Sequence, residues 1–147
     1  MTPDQAEVLG VLRRQEAAIA RGDAKASLEP MSSDVVLYEL PPPLEHRGSR
    51  AQGETALADW FASWDGGVAT ELTTPTIIID GDLAVVFGLS RMRGIKKGEG
   101  YLDRWNRRTV VLRRDEGGQW RIVHEHASYP LHMDGSGKAA LDLHPET

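Results

Sequence analysis

The 147-residue chain contains no cysteine, so neither a disulfide framework nor a thiolate metal site can organise it. Aromatic residues are scarce at 6%. No apolar run approaches the roughly 20 residues that a membrane-spanning helix requires. Positive charge is also in deficit. The formal net charge is -5, which argues against nucleic acid or an anionic membrane surface as partner. The opening MTPDQAEVLG lacks a basic start followed by an apolar stretch, so no secretory signal is expected and the chain reads as cytoplasmic. No internal repeat or low-complexity tract stands out, and the length suits one domain built on one core.

What is present begins with a helical period. Thr2 can cap a helix with Pro3 at its first position and Gln5 completing a capping box, and Val8, Val11, Leu12 and Ile19 form its stripe. Gly22 reads as its stop, and Asp23 as the cap of a short second helix ending near Pro30. Val35–Tyr38 reads as a short strand, followed by a stiff loop at Pro41–Pro43. Ser49 and Gln52 suggest a second capping box, opening a helix to about Asp65. In it Ala56, Leu57, Trp60, Phe61 and Trp64 fall on one broad face. The pattern then changes to strands. Asp80-Gly81-Asp82 and Asp115-Glu116-Gly117-Gly118 are turn signals inside a four-strand antiparallel meander, with Lys96–Gly100 as a polar loop between its middle strands. Helices gathered before such a sheet indicate an α+β layer fold.

The densest chemistry lies in RWNRRTVVLRRDEGGQWRIVHEHASYP, residues 104–130. Strict alternation places Trp105, Arg107 and Thr109 on one face of a strand, and Trp120, Ile122, His124, His126 and Ser128 on one face of the next. A β-bulge would shift that register and turn Glu125 inward instead.

This segment, together with DVVLYELPPPLEHRG and ETALADWFASWDG, resembles the NTF2-like or SnoaL-like superfamily, and more narrowly the bacterial ketosteroid isomerase homologues. The resemblance covers roughly residues 5 to 132. It implies a cone: a curved antiparallel sheet wrapped around a long helix, here expected to be the aromatic-striped one, with two N-terminal helices and an apolar pocket at the open end. Residues 1–132 would form the domain and 133–147 a polar, loosely ordered tail. The outer sheet face, with Val85, Phe87 and Leu89, would form a homodimer.

The function expected from that resemblance is cofactor-free acid/base chemistry on a hydrophobic, oxygenated small molecule, as an isomerase, dehydratase or lyase. A non-catalytic ligand-binding or oligomerisation module is the alternative. His124 and His126, whose imidazoles can give or take a proton, and Glu39 at the end of the first strand are the candidate proton-transfer groups. Glu45 and His46 beyond the prolines are possible substitutes for Glu39. Arg107, Trp105, Tyr38 and Trp60 are the candidate substrate-binding residues. His124 and His126 also have the spacing of a strand metal site, for which His46, His132 or Glu39 could supply a third ligand, but the family resembled generally works without metal, so no metal and no other cofactor is expected. Arg91, Arg93, Lys96 and Lys97 read as a solvated strand end and loop.

Overall fold

The computed structural model describes residues 1–48 and 50–146, with only the backbone of 50–52 described. The capping box expected at Ser49 and Gln52 lies outside the described residues.

Helix α1 spans Pro3–Ala20. The Thr2 hydroxyl accepts the Gln5 amide at 3.2 Å, and the Gln5 side chain accepts the Thr2 amide at 2.9 Å. The helix stops at Gly22, whose left-handed backbone (φ 72°) lets Asp23 N–H reach the Ala18 carbonyl and Gly22 N–H the Ile19 carbonyl. Asp23 then caps α2 (Ala24–Leu28) by accepting the Ala26 amide.

The remaining elements are β1 (Met31–Tyr38), β2 (His46–Arg47), α3 (Arg50–Ala62), β3 (Trp64–Asp80), β4 (Leu83–Lys96), β5 (Gly100–Arg114) and β6 (Trp120–Ser128). They form one six-stranded sheet in the order β2-β1-β6-β5-β4-β3. The meander β3–β6 is antiparallel as expected, whereas β1 lies parallel to β6. Strand β2, within the proline-rich segment, is an addition to the expected set.

Interruptions in pairing bend the sheet. In β3 the register shifts between Asp65 and Val68 and again between Thr73 and Thr76. At the first of these the Trp64 ring lies over Gly94, where a Cβ would stand 2.9 Å from ring carbon Cε3. Only glycine admits so close an approach. In β6 the shift falls between the partners of Val111 and Leu112: Leu112 faces Ile122, while Val111 faces His124, so Val123 is the extra residue.

The helix held in the sheet's curvature is α1, which corrects the expectation that the aromatic-striped helix would occupy it. Val8 and Leu12 are fully buried, with Gln15, Glu16 and Ala18 on the same side, against Leu72, Val86, Val110, Leu112 and Ile122. At 18 residues α1 is about 27 Å long, enough to cross the sheet. Helix α3 packs instead against α2 and the start of β3. Its Leu57, Trp60 and Phe61 are half-buried and Ala56 is exposed, while Trp64 has left the helix and is buried in β3. The tail is mostly exposed from Leu131 to Ala139. It closes back through a Leu131–Ala139 bridge and an Ala140 N–H to Pro130 carbonyl bond of 2.8 Å, which buries Ala140.

Candidate functional site

The bulge at Val123 decides which side chains meet. Before it, Trp120 and Ile122 face the core; after it, Glu125 does, because Glu125 stands opposite Val110, whose side chain is fully buried. On β5 the core face carries Asn106, Arg108, Val110 and Leu112, the opposite parity from Trp105 and Arg107.

Arg108 and Glu125 therefore meet on the concave face. They form an ion pair with side-chain exposures of only 12% and 15%. Arg108 Nη2 also donates to Gln15 Oε1 at 3.2 Å, and Gln15 Nε2 donates to the Ser27 carbonyl at 2.9 Å. One network thus joins α1, α2, β5 and β6. Burying two charges is costly unless their remaining hydrogen-bonding positions are filled, and Gln15 fills one of them.

Glu39 follows β1 at the open end. Leu37 stands opposite Glu125 in the parallel pairing, and Glu39, two residues on, continues that face. The protein around its carboxyl pushes the Glu39 pKa above the usual glutamate value; the Glu125 charge adds to this, and His46 opposes it. His46 Nε2 lies 3.6 Å from Glu39 Oε2, and 45% of the Glu39 side chain remains exposed. The carboxylate is thus enclosed enough to be perturbed and open enough to meet a ligand.

Ser90 and Asn106 face one another across β4 and β5 on the same side as Arg108, and both are buried. Neither side chain has a hydrogen bond among the described residues. Asn106 is one strand step from Arg108, so its amide and the Ser90 hydroxyl add unpartnered polar groups to the interior.

Of the residues picked from sequence, Glu39 lies at this site. His124, His126, Trp105, Arg107 and Tyr38 do not; they stand on the convex face, a correction that follows from the bulge on β6 and the parity of β5. His124 Nδ1 pairs with the Val36 carbonyl at 2.7 Å, and the Tyr38 ring sits edge-on to His124 and His126 at 4.8 and 5.6 Å. Arg107 is exposed and reaches Ser128 Oγ at 3.3 Å, and Arg91 stacks over Trp105. Trp60 belongs to a separate aromatic cluster, 5.6 Å from both Phe61 and Trp64, with Lys96 over the Trp60 and Trp64 rings. Gln15, Ser90, Asn106 and Arg108 were missed. The only signal for them was polar character at positions whose neighbours are core residues. Among the described residues no group of three or more histidines, aspartates or glutamates could hold a metal ion.

A curved sheet closed around one long helix, with buried polar groups toward its open end, defines the cone class of α+β domains. The SnoaL-like domain matches residues 8–132, and the chain belongs to that family. The fold is shared with an NTF2-like protein of unknown function from Pseudomonas putida KT2440, at 29% identity and TM-score 0.84 over 99% of each chain. A nuclear transport factor 2-like superfamily protein from Salmonella enterica is 21% identical, with TM-score 0.74 over 91% of this chain and 96% of the other. A ketosteroid isomerase-like protein from Erwinia carotovora atroseptica is 18% identical, with TM-score 0.70 over 87% and 97%. No curated protein gives a significant match. No helix among the described residues is long and apolar enough to cross a membrane.

Proposed function

We propose that the interior of the cone is a site for cofactor-free acid/base chemistry on an apolar, oxygenated small molecule, of the isomerase, dehydratase or lyase type. The observation that carries this reading is Glu39: a partly open carboxylate with a raised pKa, facing the negative charge of Glu125. A carboxylate shifted toward neutrality is a stronger base when ionised and holds an abstracted proton better afterward. Arg108 is already engaged by Glu125 and Gln15, so its role is to keep that charge in place. The Asn106 amide and Ser90 hydroxyl supply the donors for a substrate oxygen on which charge develops. The likeness to a ketosteroid isomerase-like protein is compatible with proton transfer in such an interior, though at that identity it speaks for the fold alone.

Glu39→Gln tests the reading. Against a panel of enolisable ketones and β-hydroxy carbonyl compounds, the variant is expected to lose on the order of 100-fold in rate while melting like the wild type. The wild-type rate should rise with pH through the Glu39 titration, as the base ionises. A Glu39→Gln enzyme with undiminished turnover would defeat the assignment.

The convex face supports a homodimer. Ile78, Phe87 and Leu89 are 52%, 40% and 41% exposed there, beside half-buried Val85 and Val111. A contiguous strip of this kind on a sheet face suits a self-complementary interface.

A further inference from the structure

A cavity of about 660 Å3 lies between α1, α2 and the turn joining β5 to β6. This volume is in the range of small-molecule sites. Small side chains, Ala6, Gly10, Ala17 and Ala26, line it along the helices, and Trp120 lines it from the sheet. Glycine inside a helix is unfavourable, yet here it makes room: a Cβ on Gly10 would stand 3.2 Å from Arg14 Nη1. The Arg14 guanidinium therefore lies back along the helix against Gly10.

The charges around the cavity do not cancel. Glu7 is 3.8 Å from Arg114, which stands closer to Asp4 and Asp82 at 3.1 Å each, and Glu29 is 2.9 Å from Arg121, which also reaches Asp115 at 3.2 Å. Arg21 leans on Asp23 at 3.4 Å. Arg14, which lines the same cavity, has no ion pair or hydrogen bond among the described residues. Arg14 is thus the lining cation without a carboxylate partner among the described residues, a planar donor beside an apolar wall.

We infer that this cavity is a second ligand site, separate from the cone interior, for a small monoanion with an apolar body: a carboxylate-headed chain. The carboxylate takes the forked donors of Arg14, and the chain lies along Ala17, Ala26 and Trp120. Glu7 and Glu29 line the same space and disfavour a second negative charge, which selects a carboxylate over a phosphate dianion. Gln15 stands between the two sites, its amide turned to Ser27 and Arg108.

Titration calorimetry of the full chain with sodium decanoate tests this. Saturable binding at one site per chain is expected. Arg14→Ala should weaken it by about 10-fold or more, the loss of a charge-assisted bidentate contact. Ala17→Trp, at an exposed position where folding is not at stake, should fill the cavity and abolish binding. Decanol, and decyl phosphate at alkaline pH, should bind more weakly than decanoate, and Glu39→Gln should leave decanoate binding as it is in the wild type. The absence of saturable binding would overturn the inference. So would decanoate affinity that survives both Arg14→Ala and Ala17→Trp, or that is lost in Glu39→Gln but kept in Arg14→Ala, which would place the ligand in the cone.

Discussion

At the open end of the parallel β1–β6 pair, the two faces of the sheet carry titratable groups one residue apart in sequence. The concave face has Glu39 and Glu125; the convex face has Tyr38, His124 and His126. Glu125 is tied by charge to Arg108 and, through it, to helix α1, and Glu39 stands against the Glu125 charge. The convex groups meet one another as rings, and His124 adds a side-chain bond to the Val36 carbonyl. A polar residue in the interior must be paired to be tolerated, and once paired it constrains its neighbours. On an exposed face the same residue is free to vary.

The comparison is broken most severely by removing one partner of the buried pair. Glu125→Ala leaves Arg108 charged and enclosed, with its hydrogen bond to Gln15 and the Glu16 charge in place of a direct ion pair, so about 3–5 kcal/mol of stability should be lost. His126→Gln, one residue away on the exposed face, should stay within about 0.5 kcal/mol of the wild type. Urea unfolding of the two variants measures both. Equal losses would show that the faces are not distinguished as described.

The convex face is sharpened by Phe87→Asp. A charge placed in the strip formed with Ile78 and Leu89 should convert a dimer to a monomer while leaving the fold intact. Light scattering at micromolar concentration reads the change directly. A wild-type protein that already scatters as a 16.2 kDa monomer would remove the interface from the account.

Element order apart from β2, the turns at Gly81 and Gly118 and both N-terminal caps were legible in the sequence, because each depends on a few adjacent residues with definite conformational preferences. The face assignments were not. The pair Ile122-Val123 is apolar at successive positions, and that is the only trace of the bulge; alternation read through it turns His124 and His126 inward. On β5, arginines occur at both parities, at Arg107 and Arg108 and again at Arg113 and Arg114, so composition leaves the buried side undecided. The central helix was misread for a related reason. Gln15 and Glu16 on the buried side of α1 weaken its stripe, whereas the aromatics after Leu57 suggest a core that α3 does not enter. Glu39 keeps the face that alternation from Leu37 gives it, because it stands just past the end of β1 with no bulge between them.

The smallest expected effect concerns the other carboxylate on the α1 side, Glu16. Its side chain is 10% exposed, Arg13 Nη1 reaches both oxygens at 2.6 and 2.9 Å, and the Leu72 amide of edge strand β3 points to it at 3.5 Å. Burial raises its pKa above the ordinary 4.5, and the Arg13 and Leu72 contacts only partly oppose that. Folding therefore favours the protonated acid. The contribution of Glu16 to stability should be greatest at low pH and fall as pH rises through 4.5 toward the higher folded value, with a constant deficit above it. Glutamine has the shape of the protonated acid and still offers an oxygen to Leu72, so Glu16→Gln should match or exceed the wild type by up to about 1 kcal/mol at neutral pH. The advantage should close as the pH falls below 4.5. Thermal melts of the pair across that range test it. A variant less stable at neutral pH, with the difference vanishing in acid, would mean that the bond to Arg13 outweighs burial, and that this side of α1 is held by charge as strongly as the Arg108–Glu125 pair.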